Sequence, residues 1–77
     1  MSDVFVLFGD RLRQVRVNAG ISQERLAELA GLHRTYVSSV ERGKRNISLL
    51  NIERLARALD VSMRDLMQKQ LDKRSGP

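Results

Sequence analysis

Arg34, Thr35, Ser38, Ser39 and Arg42 are the residues best placed to do chemistry in this chain, and that chemistry is recognition rather than catalysis. Turned at about 100° per residue, they fall on one side of a helix whose other side carries Tyr36, Val37 and Val40. The polar side is small and basic, with an arginine at each end. Arginine can donate two parallel hydrogen bonds to O6 and N7 of guanine. Serine and threonine can reach base edges or phosphates, and a threonine methyl can touch a thymine methyl. Taken alone, the same face is equally compatible with a plain solvated surface. Its surroundings shift the balance: Gly31 just before it, a second short helix before that, and the basic loop Lys44-Arg45 after it.

Catalysis has little to work with. There is no paired-carboxylate site, no glycine-rich phosphate loop and no nucleophile with a base beside it, so no enzyme is expected. With no cysteine and only His33, neither a disulfide nor a His/Cys metal cluster is available, and no cofactor is expected. The net charge of +5 and a pI near 10.8 make an anionic partner the default. Charge is densest in residues 31–45, where Arg34, Arg42, Lys44 and Arg45 oppose Glu41 alone. No apolar run approaches the roughly 20 residues of a spanning helix. The apolar stretch Val4 to Phe8 follows Asp3 and lacks the basic start of a signal peptide, so a cytoplasmic location is expected and a membrane partner is not. Phe5, Phe8 and Tyr36 are too few for a stacking platform on single strands.

The recognition face must be positioned by short helices. Phe5, Phe8, Leu12 and Val15 form one stripe of a first helix over about Asp3 to Ala19, capped by Ser2 or Asp3 and closed by Gly20. Gly9 weakens its first half, which sets the start nearer Phe8. Four further helix starts repeat one pattern, an apolar residue, a cap, then an apolar residue four positions in. Ile21-Ser22 answers to Leu26, Leu32-His33 to Val37, Ile47-Ser48 to Ile52, and Val61-Ser62 to Leu66. Ser62 and Asp65 also resemble a capping box, and His33 is the one cap that is not serine, capping weakly through a neutral ring or facing DNA. The second helix covers Gln23 to Ala30 with Leu26, Leu29 and Ala30 inward, and Gly31 makes the turn. The third runs from Arg34 to Arg42 and stops at Gly43. The fourth spans Leu49 to Leu59, offering Leu50, Ile52, Leu55, Ala56 and Leu59 to the core, and the fifth spans Met63 to about Gln70. No strand alternation occurs. The expectation is an all-α fold, a compact five-helix bundle over residues 1–71 with a flexible tail at 72–77.

The run G-I-S-Q-E-R-L-A-E-L-A-G-L from Gly20, followed by a helix ending V-E-R-G-K-R, resembles the helix-turn-helix of the phage repressor and Cro superfamily. The five helices match that family's domain over nearly the whole chain. The segment L-H-R-T-Y-V-S-S-V-E-R-G-K-R-N-I-S-L-L-N-I-E-R-L-A is most similar to small controller proteins of restriction–modification systems. The resemblance implies that His33, Arg34, Thr35 and Ser39 contact bases, as the helical face suggests also for Ser38. It implies that Gln23 holds a phosphate beside Ser22 at the start of the second helix, and that Arg42, Lys44, Arg45 and Asn46 meet the DNA backbone. It adds Tyr36 to the contact set, although Tyr36 at the apolar edge of its helix is equally a packing residue. It also pairs Glu41 with Arg16 as a structural ion pair.

One recognition helix reads only a few base pairs, whereas two related by symmetry read a palindrome about one helical turn, roughly 34 Å, apart. The resemblance implies a homodimer on double-stranded DNA, with Met63, Leu66, Met67 and Leu71 as the interface and core packing as the competing role of Leu66. The function expected is sequence-specific transcriptional regulation, autoregulatory and controlling restriction–modification genes. A phage-type repressor and an antitoxin-like module used for protein contacts are the alternatives within binding proteins, and a nonspecific nucleoid or RNA binder lies outside them. Activation would need a patch on RNA polymerase's path. Glu24 and Glu28 are candidates for it and are equally ordinary solubilising charges.

Overall fold

The computed structural model describes residues 4–68. Five helices follow in order: α1 Val4–Asn18, α2 Gln23–Ala30, α3 Arg34–Glu41, α4 Leu49–Leu59 and α5 Met63–Met67, with no strand among the described residues. α1 packs on α3 and α5, α2 on α3 and α4, and α4 on α5. The fifth helix is shorter than the expected run to about Gln70: it ends at Met67, and Gln68 is already extended at φ −77° and ψ 138°. The expected cap at Ser2 or Asp3, Leu71 and the tail at 72–77 lie outside the described residues.

The helix starts form as their local sequence dictates. Ser22, Ser48 and Ser62 each accept a hydrogen bond on the side-chain oxygen from the backbone N–H three residues on, at Arg25, Asn51 and Asp65 (3.0, 3.1 and 3.0 Å). This satisfies one of the N–H groups that a helix start leaves open. The four apolar residues before the caps, Ile21, Leu32, Ile47 and Val61, all pack against the core, and their partners Leu26, Val37, Ile52 and Leu66 are buried in it. His33 differs from the expectation of a weak cap: its side chain makes no capping hydrogen bond. Asp65 does not complete a capping box either, and its carbonyl instead accepts Nε of Arg11 at 2.9 Å, tying α1 to α5.

The turn between α2 and α3 closes with equal economy. Gly31 sits at φ 72°. Its N–H donates to the carbonyl of Glu28, and the N–H of Leu32 to that of Ala27. This pair of bonds needs a left-handed residue, which glycine adopts without a steric cost. Asp60 takes the same left-handed conformation at the end of α4.

Packing corrects four sequence expectations. α2 buries Leu26, Ala27 and Ala30, while Leu29 is exposed. α4 buries Ile52, Leu55, Ala56 and Leu59, while Leu50 is exposed. In two-turn and three-turn helices a stripe displaced by one residue fits the spacing as well, and the position of α3 and α5 decides between them. Phe5 also stays exposed, leaving Phe8, Leu12 and Val15 to carry the α1 stripe. Gly9 is no weak point. α1 runs unbroken through it, and a Cβ there would collide with the carbonyl of Val40 and come within 2.7 Å of that of Glu41. Gly9 is the place where α1 presses its backbone onto the end of α3. Gly9→Ala is therefore expected to lose about 1–3 kcal/mol to overpacking, read as a lower urea midpoint. An unchanged midpoint would show that the close approach is not real.

Candidate nucleic-acid interface

The end of α3 is fixed by a charge cluster. Glu41 is buried, and its carboxylate receives Arg16 in two bonds, Nε to Oε2 at 2.6 Å and Nη2 to Oε1 at 3.0 Å. Only 12% of the Arg16 side chain and 2% of the Glu41 side chain are exposed. Gln23 adds a third donor, Nε2 to Oε1 at 3.0 Å, and Arg16 spends Nη1 on the carbonyl of Ile21 at 3.0 Å. One carboxylate thus joins α1, the start of α2 and the end of α3. The two-pronged arginine geometry is the strong form of such a pair.

That clamp turns one side of α3 outward. Val37 and Val40 are buried, while Arg34 and Thr35 are exposed and Ser38 and Ser39 half-buried. His33, Thr35 and Ser39 line one open cleft, while Arg34 lines a neighbouring one with His33 and Ser22. The Ser38 hydroxyl accepts Nη1 of Arg42 at 2.8 Å, so that arginine lies back along its own helix, and the serine keeps its own proton to donate. Beyond α3, Gly43 at φ 72° makes a turn in which Lys44 donates its N–H to the carbonyl of Ser39 at 2.9 Å. Lys44, Arg45 and Asn46 follow, all exposed. Gln23 lies at the start of α2 with one amide N–H held by Glu41, and a primary amide has a second to give. The Ser22 hydroxyl accepts the Arg25 N–H, and the backbone N–H groups of Gln23 and Glu24 have no partner among the described residues. A helix start of this kind suits a phosphate.

Tyr36 is half-buried against the core, with its hydroxyl accepting Nδ2 of Asn51 at 3.1 Å and the Arg45 guanidinium 4.8 Å above its ring. Packing residue and surface residue are therefore one. Asn51 was not foreseen. Its signal in the sequence is a lone amide inside the apolar run Leu49-Leu50-Asn51-Ile52. Tyr36, Asn51, Arg45, Thr35, Ser39 and His33 share one open cleft of about 400 Å³. No group of side chains suited to hold a metal occurs among the described residues.

The expected dimer residues separate. Leu66 is fully buried in the core of the chain, so it is a packing residue and not an interface residue. Met63 is partly buried against the core, and Met67 is 55% exposed beside Val4 and Leu7 of α1. Leu29 and Leu50 form a second apolar surface between α2 and α4.

The helix-turn-helix family profile matches residues 12–66. The chain belongs to that family. Its relatives include control protein C.BamHI of Bacillus amyloliquefaciens, 48% identical over 67 residues that span 86% of this chain and 83% of that protein. Among solved structures, the restriction-modification controller protein C.AhdI from Aeromonas hydrophila is 58% identical, with a TM-score of 0.80 over 80% of this chain and 94% of that one. The biofilm regulator SinR, solved in complex with DNA, is 39% identical with a TM-score of 0.75 over 79% of this chain and 98% of its own. Restriction–modification controllers are thus among the proteins this chain most resembles in both sequence and fold.

Glu41→Ala leaves the partly buried Arg16 guanidinium without its counter-ion. It is expected to cost about 3–5 kcal/mol, read in thermal and urea melts, and a loss below about 1 kcal/mol would show the cluster to be dispensable.

Proposed function

We propose that the protein is a sequence-specific DNA-binding transcriptional regulator that controls restriction–modification genes. The observation that carries this reading is the division of α3: one side buried to the last atom at Val37, the other presenting Arg34, Thr35 and Ser39 between the α2 start and a cationic loop. The similarity to controller proteins supports the genes it acts on. In the major groove, Arg34, Thr35 and Ser39 read base edges, with His33 at the rim. Ser22, Gln23, Tyr36, Lys44, Arg45 and Asn46 hold phosphates, and Arg42 joins them by leaving Ser38. The protein works as a homodimer on a palindrome, autoregulates and acts in the cytoplasm. No described helix is long and apolar enough to cross a membrane. Glu24 and Glu28, both exposed on α2, are the candidates for contact with RNA polymerase.

The interface of that homodimer is the surface of Met63 and Met67, extended by Leu7 and Val4 of α1. Sedimentation at micromolar concentration is expected to show a dimer that Met67→Asp dissociates and Leu50→Asp leaves intact. The reverse pattern would move the interface to the α2–α4 groove, and a monomeric wild type would remove it.

Recognition itself is tested by competition. The protein is expected to prefer a duplex selected from random DNA by about 10³-fold or more over unrelated DNA. Arg34→Ala should cost about 1–3 kcal/mol at one base position and relax discrimination there. Lys44→Ala should weaken all sequences alike and reduce the slope of log K against log[salt] by about 0.9. Intact discrimination in Arg34→Ala would mean that α3 does not read.

A further inference from the structure

Tyr36 is the chain's only tyrosine, and its hydroxyl has its role set from outside the helix-turn-helix. Asn51 belongs to α4, fifteen residues on, and is itself fixed: its backbone N–H donates to the Ser48 cap at 3.1 Å. With that backbone held, its side-chain Nδ2 donates to the Tyr36 oxygen at 3.1 Å. A phenol has one proton to donate and lone pairs to accept with. Where the amide supplies a donor to the oxygen, the phenolic proton must point elsewhere. The ring edge and Asn51 line the same cleft as Thr35, Ser39 and Arg45, which is open to solvent. Arg45 lies over the ring face at 4.8 Å, which restricts both the ring and the loop cation.

We propose that Asn51 is a positioning residue for DNA binding, which fixes the Tyr36 hydroxyl as a donor aimed at a backbone phosphate. This rests on the reading of α3 as the recognition helix. A phosphate oxygen only accepts, so a hydroxyl already committed as acceptor to Asn51 meets it with the correct polarity and no rearrangement. Asn51 touches no DNA in this arrangement. It acts through Tyr36, and its contribution vanishes when the hydroxyl is removed.

The test is a double-mutant cycle of Asn51→Ala and Tyr36→Phe, with binding measured on the full chain against a duplex selected from random DNA. Each single variant is expected to weaken binding about threefold to tenfold, the scale of one hydrogen bond. Asn51→Ala is expected to have no further effect in the Tyr36→Phe background. The salt slope should stay unchanged in both, because a neutral donor releases no counterion, in contrast to Arg45→Ala. Asn51→Asp provides a second arm. Its carboxylate turns the phenolic proton inward, and in that variant Tyr36→Phe should no longer weaken binding. Because the chain has no tryptophan, tyrosine fluorescence of the free protein reports the altered Tyr36 hydrogen bond directly. Additive losses, or full affinity in folded Asn51→Ala, would overturn the positioning role while leaving the recognition-helix reading in place. Failure of the wild type to discriminate its selected duplex from random DNA would overturn both.

Discussion

A buried carboxylate governs the geometry of this protein. Removing Glu41 from water is costly, and a single ion pair seldom repays the cost in stability. Glu41 is nevertheless saturated: two bonds from Arg16 and one from Gln23 surround it. What the cluster provides is position. Three helices meet at one point, and Gly9 lets α1 close onto the carbonyls of Val40 and Glu41 from the backbone side. The C-terminal end of α3 is clamped by both charge and contact. Its N-terminal end carries the exposed Arg34 and Thr35 and starts at His33 with no side-chain cap. The end proposed to read DNA is thus the one that the cluster leaves exposed.

The same cluster reaches the surface on which the proposed phosphate contacts lie. Gln23 is the link between the clamp and the surface, holding Glu41 with one amide proton beside the N–H groups at the α2 start, which have no partner among the described residues. At the far side, the turn at Gly43 launches the Lys44–Asn46 loop in a direction set by the Ser39 carbonyl. Arg45 is restrained over Tyr36 and Tyr36 over Asn51, so that the core of α4 reaches the edge of the recognition surface. Cationic side chains that are already restrained have less rotamer freedom to lose on binding.

The starts of α2 to α5 were legible in the sequence because they are local, as were the stops of α2 to α4, whereas α5 ends at Met67, short of the expected Gln70. A serine cap, an apolar residue on either side of it and a glycine at the end act within a few residues, and Ser22, Ser48 and Ser62 behave as their neighbourhoods require. Which stripe faces inward was less legible. Leu29 and Leu50 fit a helical spacing as well as the residues that are buried, and Leu66 could serve core or interface until the packing assigned it to the core. Gly9 reads as a poor helix former by propensity alone, since its purpose lies on another helix. The Arg16–Glu41 pair came from family likeness rather than from spacing, being 25 residues apart, and Asn51 escaped for the same reason of distance. His33 and Tyr36 fell in different ways. His33 proved an uncapped surface residue, and Tyr36 proved to be both packing and surface.

Methylation interference on the selected duplex separates base reading by α3 in the major groove from binding through the minor groove or the backbone alone. Methylation at guanine N7 obstructs only the major groove. The account predicts two clusters of interfering N7 positions related by two-fold symmetry and separated by about one helical turn. Interference confined to minor-groove adenine N3, or none at all, would contradict it.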